Sequence, residues 1–226
     1  KQYIKSVLPS VFSGFLMAIG WCNEYMSFLI LFSFVPLFFI EAEKNISKSV
    51  KFVLYYLAFL IFNVKTTYWI IYASFAGGVA AMLINAFFMA IILNTSFIIK
   101  NKKRLNTPLL HFYIIPLWIT FEYIHLNWEL AWPWLTLGNT FANNPILVQW
   151  YEYTGVLGGS LWILLVNVMI WRLFEKQLTM KIQLIKLVGV ILMPILVSLI
   201  LYYYNNGSQK IEVNVLVVQP NIDPYN

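Results

Sequence analysis

The chain has 226 residues, 61% of them hydrophobic, 18% aromatic and only 11% charged, with a formal net charge of +6. Soluble domains are about a quarter charged, so a water-soluble fold is excluded: there is too little polar surface to cover a core of this size. The positive charge lies in short clusters between apolar runs rather than on one face of a domain, which excludes a nucleic-acid surface and points to orientation in a bilayer.

A membrane span needs about 20 mainly apolar residues, or fewer where it is short or re-entrant. Seven segments qualify: 8–22, 27–40, 51–74, 77–99, 108–124, 154–173 and 184–204. The first begins after Lys1 and has no small-residue cleavage site behind it, so it reads as a retained span rather than a signal peptide. Pro9 and Pro36 are expected near the ends of the first two segments, where a missing backbone donor costs least. Half-spanning helices fit these two segments equally well and leave the parity of the chain unchanged.

In the third span Lys65 is the one basic residue surrounded by apolar ones. An ionisable group in hydrocarbon costs roughly 3 kcal/mol or more unless it is paired or hydrated. Two readings stand side by side: an ion pair with Glu122, at a similar depth in the fifth span, or snorkelling to the head-group region beside Tyr68, Trp69 and Tyr72. Asn85, Asn94 and Asn167 lie within spans and are expected to bond neighbouring helices.

Between the fifth and sixth spans, residues 125–153 interleave Trp128, Trp132, Trp134, Trp150, Tyr151 and Tyr153 with Glu129, Asn139, Asn143, Asn144, Gln149 and Glu152. Such a composition suits the lipid–water boundary, either as an anchoring aromatic belt or as a groove for a lipid head group and its upper acyl chain. For the groove the candidate residues are Trp132, Trp134, Asn139, Gln149, Glu152, Glu122 and Lys65. Gly155, Gly158, Gly159 and Ser160 follow, and small residues there allow a neighbouring backbone to come close; no strand precedes them, so they are not a nucleotide-binding loop.

The basic residues set the orientation. Lys1, Lys5, Lys44, Lys48, Lys51, Lys100, Lys102, Lys103, Arg104, Arg172, Lys176, Lys181 and Lys186 all fall on one side of a seven-span arrangement, which places the N-terminus in the cytoplasm. After the seventh span Asn205-Asn-Gly-Ser208 breaks the helix, and Ile211-Glu-Val-Asn-Val-Leu-Val-Val218 has the β-branched content of a strand, so a non-cytoplasmic soluble domain is expected to begin here. A lone Cys22 supplies no disulfide and has no base beside it to make it a nucleophile, and His111 and His125 are not spaced as metal ligands, so no metal or cofactor is expected.

Several of these residues carry a family resemblance. Trp132-Pro-Trp-Leu-Thr-Leu-Gly-Asn139, Pro145, Gln149-Trp-Tyr-Glu-Tyr-Thr-Gly155, Gly158-Gly-Ser160 and Asn167 resemble, in order and spacing, the membrane domain of bacterial apolipoprotein N-acyltransferases. Tyr68-Trp-Ile70 and Pro116-Leu-Trp-Ile-Thr-Phe-Glu122 look like the same family, and Val217-Val-Gln-Pro-Asn-Ile-Asp-Pro224 resembles the first strand and loop of its nitrilase-like domain. His125 departs from the pattern, since the family often has Arg at that place.

The resemblance implies an all-α polytopic membrane protein, a bundle of about seven transmembrane helices over 1–204 followed at 205–226 by the start of a truncated α/β nitrilase-like domain. It further implies an integral enzyme of the bacterial inner membrane that moves an acyl chain from a phospholipid donor to the terminal amine of a diacylglyceryl-cysteine lipoprotein acceptor. The family's Glu, Lys and Cys catalytic set is expected beyond Asn226, so Glu122, Lys65 and Cys22 are not assigned those roles, and the chain alone is expected to be inactive. A lipid transporter or flippase, or a plain anchor for another periplasmic domain, are the alternatives. The absence of an internal repeat speaks against the first.

Overall fold

In the computed structural model, residues 2–102, 110–129, 131–174, 180–205 and 215–218 are described. Among them seven α-helices follow one another: α1 (Gln2–Cys22), α2 (Val35–Ala42), α3 (Lys48–Thr67), α4 (Phe75–Lys102), α5 (Ile114–Asn127), α6 (Tyr151–Phe174) and α7 (Met180–Asn205). Short 3-10 segments join them, at Glu24–Phe32, Tyr68–Tyr72, Leu110–Tyr113, Pro133–Leu135, Leu137–Phe141 and Pro145–Leu147.

Each of the seven expected segments contains helix among the described residues, and 108–109 lie outside them. Among the described residues five helical stretches are long and apolar enough to cross a bilayer: Glu24–Ala42, Lys48–Tyr72, Phe75–Ile99, Tyr151–Phe174 and Met180–Tyr204. The apolar part of α1, Ser6–Cys22, is shorter, and α5 with 14 residues rises about 21 Å, less than the roughly 30 Å of hydrocarbon.

Local chemistry explains several boundaries. Ser47 caps α3 by accepting the Val50 N–H, and Asn23 opens the 3-10 segment by accepting the Tyr25 N–H. Pro36 has no N–H to offer the preceding turn, so the second apolar segment is broken into a 3-10 helix and α2, with the proline in the first turn of the new helix. Pro9, in contrast, lies inside α1 and not at its start, because α1 begins at Gln2. Of the two prolines expected near segment ends, Pro9 thus stands within α1 and Pro36 at a break inside the second segment.

The break before α2 leaves backbone groups that lipid cannot satisfy. Asn167 of α6 satisfies them: its Oδ1 accepts the Phe34 N–H at 2.8 Å and its Nδ2 donates to Ile30 O at 2.9 Å. Asn85 bonds a neighbouring helix as expected, donating to Asn63 Oδ1 on α3 at 2.7 Å.

Around these polar clamps the interior is aromatic, with Phe34 edge-on to Trp118 (centroids 5.1 Å apart) and Phe59 beside both. α3 packs between α1 and α4, whereas α6 is central and touches α2, α5, α7 and the Leu137–Phe141 turn. Helix α7 rests on α6 and is mostly exposed. Residues 215–218 of the expected strand have no regular secondary structure and are exposed, and 211–214 lie outside the described residues. A lone segment has no neighbour with which to form a ladder.

Candidate functional site

Of the candidate groove residues, Glu122 and Trp132 come together at the end of α5. Glu122, 4% exposed, faces inward from the helix, and its Oε1 accepts two hydrogen bonds, from Trp118 Nε1 one turn earlier (2.9 Å) and from the Leu137 N–H (2.8 Å). The next residue of the loop is held from α6: Gly138 N–H donates to Ser160 Oγ (3.0 Å) and Tyr151 Oη donates to Gly138 O (3.0 Å).

Glycine is required at this junction. A Cβ on Gly159 would stand 2.9 Å from Gly138 Cα, and one on Gly138 would overlap the Val156 carbonyl. Gly155 has φ +64, a left-handed conformation that glycine adopts freely, and it kinks the start of α6. Gly159 therefore serves close packing against Gly138, as the pattern suggests, whereas Gly155 serves the kink.

The aromatic stretch is not a flat belt. It folds back as three short 3-10 turns that bury Leu135, Leu137, Phe141 and Val148. Two candidate polar residues are occupied in holding those turns: Asn139 Nδ2 donates to Pro133 O (3.1 Å) and Gln149 Nε2 donates to Pro145 O (2.8 Å). Asn144 ties the loop to the first hairpin by donating to Glu24 O at 2.8 Å. Glu152 is exposed, and Trp134, half-exposed, stacks edge-on against Trp132 and Trp69.

Lys65 is not brought to Glu122. It is exposed on the outer face of α3, while Phe62, Asn63 and Thr66 take the inner face, and Glu122 is spent on Trp118 and Leu137. Of the two readings, exposure beside Tyr68 and Trp69 is the one the geometry matches.

What remains is a cleft of about 330 Å³ between α4 and the loop, walled by Ala81, Ile84, Phe88, Ala131 and Trp132, with Glu129 also lining it and His125 and Asn85 at its floor. Behind the floor lies an enclosed space of about 10 Å³, roughly one water, bounded by Glu122, His125 and Thr136. Four buried groups here lack a hydrogen-bond partner among the described residues: Glu122 Oε2, both nitrogens of His125, Trp128 Nε1 and Trp132 Nε1. His125 is held by its ring, stacked on Phe121 (5.1 Å) and beside Trp128 (5.2 Å) and Phe88 (6.3 Å). An unpaired buried donor costs about 1–3 kcal/mol, so an acceptor entering the cleft would recover that cost.

Sequence reasoning missed the α4 wall. Ala81, Ile84, Asn85 and Phe88 recur at spacings of three, one and three residues on one helical face, a pattern visible in the sequence but identical to ordinary helix packing.

Comparison with known proteins agrees with the geometry. Residues 13–169 match the model of the apolipoprotein N-acyltransferase N-terminal domain. An apolipoprotein N-acyltransferase of Chlorobaculum tepidum is 28% identical over 94% of this chain and 41% of its own length. That of Geobacter metallireducens is 24% identical over 97% of this chain and 44% of its own, and that of Rickettsia prowazekii 30% identical over 62% and 27%. The chain therefore spans less than half the length of these relatives. No solved structure matches it. This multi-pass membrane chain belongs to the apolipoprotein N-acyltransferase family, with the family's N-terminal domain at residues 13–169.

Proposed function

We propose that this chain is the membrane part of an enzyme that transfers an acyl chain from a phospholipid to the N-terminal amine of diacylglyceryl-cysteine lipoproteins, and that its own task is to hold the acyl donor. The cluster of buried, unpartnered donors lining a largely apolar cleft carries this reading: His125 and Trp132 can donate to an ester carbonyl or phosphate oxygen while Phe88 and Ile84 flank the chain. Glu122 acts through position, fixing the loop that supplies Trp132.

The family's covalent chemistry assigns three roles to a separate nitrilase-like domain. A Cys thiol attacks the donor ester carbonyl, with a Glu taking its proton and a Lys stabilising the oxyanion, and a lysophospholipid leaves. The lipoprotein amine then attacks the thioester, forming the amide and returning the thiol. In this chain the resident residues bind and orient. The clustering of Lys44, Lys48 and Lys51 at one end supports a cytoplasmic N-terminus in the inner membrane of a diderm bacterium.

The test is to express the reading frame that encodes this chain in cells depleted of their own N-acyltransferase and weigh the N-terminal peptide of a lipoprotein. A third acyl chain on the terminal amine is the expected result. Lipoproteins that stay diacylated while the protein is present in the membrane would overturn the reading.

A further inference from the structure

At the opposite end of α4 from the cleft, a second pocket of about 360 Å³ opens between the α2–α3 connection and the last turns of α4. Lys44, Lys48 and Lys51 line it together with Glu41, and Phe97 and Ile98 form an apolar wall.

The charges there do not cancel. Lys51 is committed to Glu41, bonding its backbone carbonyl and standing 3.5 Å from Oε2, while Tyr55 Oη donates to the same carboxylate at 3.0 Å. Among the described residues that line it, three lysines against one glutamate leave two positive charges, those of Lys44 and Lys48, both exposed at the rim. Glu43 does not line the pocket and accepts the Asn45 N–H instead. The first turn of α3, a helix of 20 residues, begins at Lys48 and adds the positive end of its dipole.

A free anion would need only the lysines. Ile98, 40% exposed on α4, gives the pocket an apolar edge beside the lysines, which suits a head group with acyl chains attached. We propose that this pocket is a binding site for an anionic phospholipid, its phosphodiester between Lys44 and Lys48 and the upper part of a chain against Ile98. The site is separate from the acyl-donor cleft and does not depend on the enzymatic reading. Basic pockets between helices near a membrane surface have this preference on general electrostatic grounds.

The test is native mass spectrometry of the chain in neutral detergent, titrated with phosphatidylglycerol, with phosphatidylcholine of the same acyl chains, and with glycerol phosphate. Saturable phosphatidylglycerol binding is expected, with phosphatidylcholine at least about tenfold weaker. The Lys44→Gln, Lys48→Gln double variant should weaken phosphatidylglycerol binding on the order of tenfold. The Lys44→Arg, Lys48→Arg pair should retain binding, as should Lys181→Gln, Lys186→Gln, which removes equal charge from exposed positions on α7. Equal binding of the two lipids, or equal loss from both glutamine pairs, would overturn the site. Glycerol phosphate binding as tightly as the lipid would overturn the lipid as its occupant.

Discussion

Glu122 Oε1 accepts the Leu137 backbone N–H at 2.8 Å, so a carboxylate on α5 fixes the start of the Leu137–Phe141 turn fifteen residues later. Replacing Glu122 with Ala leaves that N–H and the Trp118 indole without their acceptor, at about 1–3 kcal/mol each. Glu122→Gln keeps one oxygen able to accept both. Thermal unfolding in detergent should show Glu122→Ala clearly destabilised and Glu122→Gln close to the parent. Equal stability of all three would mean that the loop is held by something else.

The clamp at the α2 break should be equally sensitive. Asn167→Leu removes the acceptor for Phe34 N–H and the donor to Ile30 O, and in lipid no water replaces them. A loss of about 1–2 kcal/mol is expected for such interhelical bonds. Limited proteolysis should then cut faster between Ile30 and Val35, and an unchanged cleavage rate would contradict the clamp.

Gly138→Ala tests the loop–α6 junction by volume alone. Its Cβ would meet the backbone of Val156, which cannot rotate away as a side chain could. Overpacking of this kind costs about 1–3 kcal/mol. Gly189→Ala, with open space around the added carbon, is the control and should leave the melting temperature unchanged.

Lys65→Gln is expected to be silent. Exposed surface substitutions usually stay within about 0.5 kcal/mol, and Lys65 has no ion pair with Glu122 to lose. A destabilisation matching that of Glu122→Ala would revive the pairing.

The seven helical segments were legible because apolar runs separated by basic clusters are a strong signal in a chain with so few charges. Their crossing geometry was less so: Pro36 marks a real break, yet nothing local to residues 30–36 shows that Asn167, far along the chain, closes it. Within the candidate site, Glu122 and Trp132 were visible through their motif, and both lie at the cleft or its floor. Asn139 and Gln149 look equally polar in sequence but turn to the carbonyls of Pro133 and Pro145, a choice set by the 3-10 turns. His125 stood out in sequence as a departure from the family pattern; its importance comes from the ring-lined surroundings in which neither of its nitrogens has a hydrogen-bond partner among the described residues.

The most direct measurement is photolabelling of the membrane-embedded protein by a phospholipid with a photoreactive group near its ester, followed by peptide mapping. Label concentrated on α4 around Ile84 and Phe88 and on Trp132, and lost in a His125→Phe, Trp132→Phe variant that still folds, is the predicted result. Label spread evenly over the lipid-facing helices, or unchanged in that variant, would contradict the account of the cleft as the acyl-donor site.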